Sequence, residues 1–176
     1  MKPVKFLVMS VGPYSKNGTC KYIEKIGGKD KIVVVLPEQF KENAESYQKR
    51  GIRVYLYDEK KYIGPDIEYF GFKPRNCGGV GRQGIAEAVD TLDDGKTLFL
   101  QVDDDTSNFG VRVRSDENQS GWKCVSISKI ESLEKIVNLM DEFYQNTGIK
   151  IQGKRVRPYR PILTMFSATA RFSITS

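Results

Sequence analysis

Three consecutive carboxylates, Asp103, Asp104 and Asp105, close the apolar run in "TLFLQVDDDTSNF", residues 97–109. Adjacent carboxylates repel one another, and a hard divalent cation with oxygen ligands, Mn²⁺ or Mg²⁺, relieves that repulsion best. A cation held by one or two carboxylates keeps positions open for phosphate oxygens. The competing reading is a solvated Asp-rich turn. Ligands of open parallel sheets bind beyond the carboxyl ends of the strands, and a site at the end of a buried strand favours the metal.

A second stretch, "GGVGRQG", spells G-x-G-x-x-G through Gly79, Gly81 and Gly84. With a helix after it and an acid about 20 residues on, it matches a dinucleotide fingerprint, so an NAD-type Rossmann protein is one alternative. No strand leads into the first glycine, because "GFKPRNC" holds Pro74 and polar residues. A milder reading is a glycine loop that lets backbone amides and Arg82 approach a phosphate at a helix N-terminus. Tyr14, in the turn "SVGPYSKNGT", is placed to stack on a base or sugar, although a plain turn explains it too. The chain has no histidine, so imidazole acid–base chemistry and histidine-ligated metals fall outside its repertoire.

These residues need elements to carry them. "VKFLVMSV" (4–11), "KIVVVLP" (31–37) and "IRVYLYD" (52–58) read as buried strands. Residues 19–26 form a short helix stopped by Gly27 and Gly28, and residues 38–49 an amphipathic helix through Phe40, Ala44 and Tyr47, ended by Gly51. Residues 59–81 read as irregular; Ile85, Ala88, Val89 and Leu92 then mark another helix before the strand that delivers the acids. "VRVRSDENQSGWKCVSIS" reads as an exposed hairpin or loop. The last helix has Leu133, Ile136, Val137, Met140, Phe143 and Tyr144 on one face and a capping box from Ser128 and Glu131. This alternation predicts an α/β fold with a mostly parallel sheet and flanking helices.

At 176 residues the chain is one domain's worth. No apolar run reaches the roughly 20 residues of a membrane span, and Cys20, Cys77 and Cys124 are too few and scattered for a disulfide framework, so a reducing cytoplasm is expected. Charge is unevenly placed. Residues 1–149 hold 22 basic and 22 acidic residues, whereas residues 150–176 hold six basic residues (Lys150, Lys154, Arg155, Arg157, Arg160, Arg171) and no acid. In "GKRVRPYRPI" the cations surround Tyr159, a mixture suited to nucleic-acid backbones and bases; a solvated basic tail is the competing account.

Together these segments resemble glycosyltransferases of the GT-A fold, in which an arginine-bearing helix precedes an Asp-x-Asp strand. "TCKYIEKIGGKDKIVVVLPEQFKENAESYQKRGIRVYLYD", "GVGRQGIAEAV" and "LFLQVDDDTSNFG" are similar, more narrowly, to phage glycosyltransferases encoded beside oxygenases that hydroxylate DNA pyrimidines. The resemblance covers about residues 4–110. It implies a single GT-A-like, Rossmann-like domain over 1–176, with a nucleotide-sugar-binding half at 1–110 and an acceptor-side or basic segment at 111–176. It further implies Mn²⁺ or Mg²⁺ held by Asp103 and Asp105, with Asp103 also facing the uracil or ribose end of a UDP-sugar and Asp104 supporting either. Arg82 would contact the diphosphate or donor sugar, and Val11, Gly12, Tyr14 and Glu38 would line the nucleotide. The acceptor would be hydroxymethylated DNA, tracked by Lys150, Lys154, Arg155, Arg157 and Arg160 in a host cytoplasm. For an acceptor base the residues offer only Asp116 and Glu117.

Overall fold

The computed structural model describes residues 1–62, 78–114 and 122–147. Four strands, β1 (Val4–Met9), β2 (Ile32–Pro37), β3 (Arg53–Tyr57) and β4 (Leu98–Asp103), form an all-parallel sheet in the order β3-β2-β1-β4. Their residues are largely β-branched or apolar, and the centre of the sheet is buried on both faces, as parallel sheets require. The pleat sorts the side chains. Val4, Phe6, Val8, Val34, Leu36, Leu100 and Val102 join one core with helices α1 (Gly18–Lys25), α2 (Ala44–Gln48) and α4 (Ile130–Thr147). Leu7, Val33 and Val35 join a second core, opposite, with Val80, Ile85 and Ala88 of α3 (Gly78–Leu92). A separate antiparallel pair, β5 (Gly110–Arg114) with β6 (Trp122–Ser126), follows β4.

The expected α/β architecture with a parallel sheet is therefore present. Several local expectations are corrected. The single helix over 38–49 is instead a 3₁₀ segment, Glu38–Asn43, joined to the short α2; Phe40 departs from helical geometry at φ −115° and ψ 22°. Residues 59–81 are not uniformly irregular, since Glu59–Tyr62 is a 3₁₀ turn and α3 already begins at Gly78. α4 starts at Ile130, one position later than a Ser128–Glu131 box implies, and the Ile130 N–H donates to the Ile26 carbonyl at 2.9 Å. On α4, Phe143 is 46% exposed and lies off the buried stripe of Leu133, Val137 and Met140.

Strand order sets where the sheet has its switch point. The chain moves outward from β1 to β2 and β3, then returns to β4 on the other side of β1. The carboxyl ends of β1 and β4 thus flank a topological switch point, the crevice at which ligands of open α/β sheets bind.

Candidate functional site at the carboxyl rim of the sheet

β4 runs in register with β1 from Val4–Leu98 to Met9–Asp103, so the first acid stands beside the last residue of the central strand. Alternation along β4 gives Asp103 the parity of Phe99, which packs on the α3 side. Asp103 is half-buried, and its carboxyl is held above the usual aspartate range. Burial is the main cause, followed by the charges of Asp105 and Asp104, with the Arg82 guanidinium on α3 pulling the other way. Asp103 and Arg82, both drawn from the sequence, are therefore brought within electrostatic reach of each other. Arg82 and Asp105 are exposed to solvent.

Asp104 turns to a different task. Its Oδ2 accepts a hydrogen bond from the Ser10 hydroxyl at 2.7 Å, and Ser10 Oγ accepts the Gly12 amide at 3.3 Å. The buried Tyr47 hydroxyl, 3.3 Å from Ser10 Oγ, donates to the Gly12 carbonyl at 2.8 Å and accepts from Asn17 Nδ2 at 3.2 Å. Thr19 secures the acidic turn from below. Its hydroxyl donates to the Asp103 carbonyl and accepts the Thr106 amide at 2.9 Å, while its own amide donates to the Asp104 carbonyl at 3.2 Å. Asn17 caps α1 by accepting the Cys20 amide at 2.8 Å. Two amides in the first turn of α1 are thereby used by protein groups, so this helix end is partly spent as an anion cradle. The Cys20 thiol, fully buried beside this network, is pushed up to about 12 by burial first and by the nearby Asp104 and Glu24 charges second. Thr106 Oγ1 is buried without a hydrogen-bond partner among the described residues.

Val11 is exposed and Gly12 half-buried, both at the β1 end of the rim; Asn43 Nδ2 donates to the Val11 carbonyl at 3.0 Å. Glu38 is exposed at the end of β2, about 10 Å from β4 given two inter-strand spacings. Tyr14 sits in a 3₁₀ turn, Tyr14–Lys16, and is already engaged. The Arg50 guanidinium lies 4.3 Å above its ring, Tyr47 meets it edge-on at 6.0 Å, and its hydroxyl donates to Glu24. Burial and then Glu24 raise that phenol to about 12. Half-buried Tyr14 thus packs its turn through Arg50 over the ring and Glu24 at the hydroxyl.

The glycine stretch is also corrected. Gly79, Gly81 and Gly84 lie inside α3 rather than in a loop entering it. A side chain at Gly81 would press on the sulfur of Met9, and one at Gly84 would come within 2.6 Å of the Tyr57 ring. Two of these glycines thus let α3 approach the sheet closely, and a phosphate-cradling loop is not formed by them. Arg82 consequently projects from the second turn of a helix.

The side-chain carboxylates of Asp103 and Asp105 accept no hydrogen bond among the described residues, whereas that of Asp104 is committed to Ser10. Among the described residues no group of three or more His, Cys, Asp or Glu forms a ready metal cage. What the rim offers is two hard carboxylates, a half-buried Asp103 disfavoured as an anion by burial first and by its acidic neighbours second, and an exposed Asp105. Asp116, Glu117 and all the C-terminal cations from Lys150 to Arg171 lie outside the described residues. Sequence reasoning did not single out Ser10, Thr19 or Tyr47 as rim residues. A polar residue at the end of an otherwise apolar strand was the available signal for Ser10; the other two carried none. No helix of the described residues is long and apolar enough to cross a membrane. Comparison with protein-family models, with curated proteins and with solved structures finds no match to this chain.

Proposed function

We propose that the chain is a metal-dependent glycosyltransferase of GT-A type that uses a nucleotide sugar, a UDP-sugar by resemblance, to glycosylate hydroxymethylated pyrimidines in DNA. The observation that carries this reading is the pair Asp103 and Asp105 at the switch point of a parallel sheet, with Arg82 acting on Asp103 from α3. Mn²⁺ or Mg²⁺ bound there would supply charge stabilisation for a diphosphate leaving group. Asp103 and Asp105 are the residues to hold it. Arg82 would bind phosphate oxygens, and the Val11–Gly12 edge would line the nucleotide. Transfer breaks the bond between the anomeric carbon and the diphosphate oxygen and forms one to the acceptor hydroxyl, whose proton a carboxylate base removes. Asp116 and Glu117 are the candidates for that base.

Calorimetric titration of UDP, with and without Mn²⁺, tests the reading. UDP binding that requires Mn²⁺ and disappears in Asp105→Ala, with the circular dichroism of the fold unchanged, is the expected result. Binding of NAD in place of UDP, or DNA binding with no response to either, would replace it. Screening nucleotide sugars for Mn²⁺-dependent hydrolysis then identifies the donor.

A further inference from the structure

The three acids are not equivalent, and the difference extends to residues on other elements. Asp104 accepts the Ser10 hydroxyl, Ser10 receives the Gly12 amide, and Tyr47 holds the Gly12 carbonyl. Both backbone polar groups of Gly12 are therefore fixed by side chains, and one of those side chains is oriented by an acid from a different strand end. Beyond Gly12 the loop after β1 is tied by Asn43 on the Val11 carbonyl and by Ser46 on the Tyr14 amide, while the Val11 side chain is 49% exposed.

We infer that Ser10 and Tyr47 are positioning residues which, together with Asp104, preform the Val11–Gly12 edge of the crevice, leaving cation binding to Asp103 and Asp105. Ser10 is 3% exposed and Tyr47 fully covered, while Gly12 and Asp104 are half-buried, so the hydrogen bonds of the bracket are partly shielded from competing water. A loop ordered before a ligand arrives does not lose that order on binding, and affinity rises accordingly. Thr19 contributes from the other side by fixing the backbone of Asp103, Asp104 and Thr106, so the acid turn is tied to α1 as well as to Ser10. The structural claim stands without sugar transfer; that the preformed edge serves a nucleotide rests on the function proposed above.

Backbone hydrogen exchange of the full chain separates the two claims. Ser10→Ala, Asp104→Asn and Tyr47→Phe are expected to speed exchange of the Gly12 amide about tenfold, the scale of one lost buried hydrogen bond, while protection in β1 and β2 is kept. Asp103→Asn should leave that amide unchanged. Equal acceleration in Asp103→Asn, or none in Asp104→Asn, overturns the inference. Should Asp104→Asn unfold the chain, Ser10→Ala and Tyr47→Phe decide the matter on the same readout. In a second arm, Asp104→Asn is expected to retain Mn²⁺ binding as read by electron paramagnetic resonance and to weaken UDP binding about tenfold; loss of Mn²⁺ as complete as in Asp103→Asn also overturns it. A wild-type chain that binds neither Mn²⁺ nor UDP would remove the proposed function and leave the exchange measurement to judge the bracket.

Discussion

At the scale of single residues, the rim separates groups that hold structure from groups left available. Asp103 is the instructive case, because burial and two like charges disfavour its ionised form while only Arg82 favours it. Its folded pKa is raised above the ordinary 3.8, so its contribution to stability is fully present at low pH and is lost as pH rises through the folded value. Asp103→Asn removes a charge the fold does not favour. It is therefore expected to melt about 1 to 3 °C above the wild type at pH 7 in metal-free, low-salt buffer, with the difference vanishing below pH 4. A differential scanning calorimetry series across pH checks this; a destabilised Asp103→Asn at pH 7 would show that Arg82 outweighs burial. Mn²⁺ should reverse the ranking, since a cation stabilises only the chain whose carboxylate can hold it.

At the scale of elements, the packing of α3 on the sheet explains residues that looked chemical in one dimension. Gly84 faces the ring of Tyr57, which is 4% exposed and has little room to move. Alanine there gains about 1 kcal/mol of helix propensity against roughly 1–3 kcal/mol for forcing a methyl into a packed contact. Urea unfolding of Gly84→Ala should therefore show a net loss of up to about 2 kcal/mol. Gly81→Ala should stay within about 1 kcal/mol of the wild type, because the opposing Met9 thioether can swing aside. The fold was legible where period-2 and period-3.6 patterns were strong: the four strands and the buried stripe of α4 stand close to where the apolar residues put them. It was not legible at 38–49, where a helical spacing of Phe40, Ala44 and Tyr47 conceals a break at Phe40. Nor was it legible at the glycines, since the same spacing serves a turn or a close helix–sheet approach and only the opposing residue distinguishes them. The acids at the end of β4 were foreseeable from topology, but the Ser10 and Tyr47 bracket joins residues 94 and 37 positions apart in sequence, which no local pattern encodes.

At the scale of the whole molecule, a neutral α/β body is joined to a segment that carries the entire net charge of +6. If that segment tracks a DNA backbone, affinity is governed by counterion release and falls steeply with salt. Replacing Lys154, Arg155, Arg157 and Arg160 by alanine should reduce the slope of log K against log salt by about 3 to 4, as measured by fluorescence anisotropy with a labelled oligonucleotide. An unchanged slope would place the DNA contact elsewhere. The metal and donor sites proposed above lie at the sheet rim and should be untouched by this variant. The proposed function requires a divalent cation held by Asp103 and Asp105 against a diphosphate. Anomalous diffraction from crystals soaked in Mn²⁺ and UDP tests that most directly: the account predicts a manganese peak between those two carboxylates, contacted by the diphosphate, and ordered UDP elsewhere or an empty rim would contradict it.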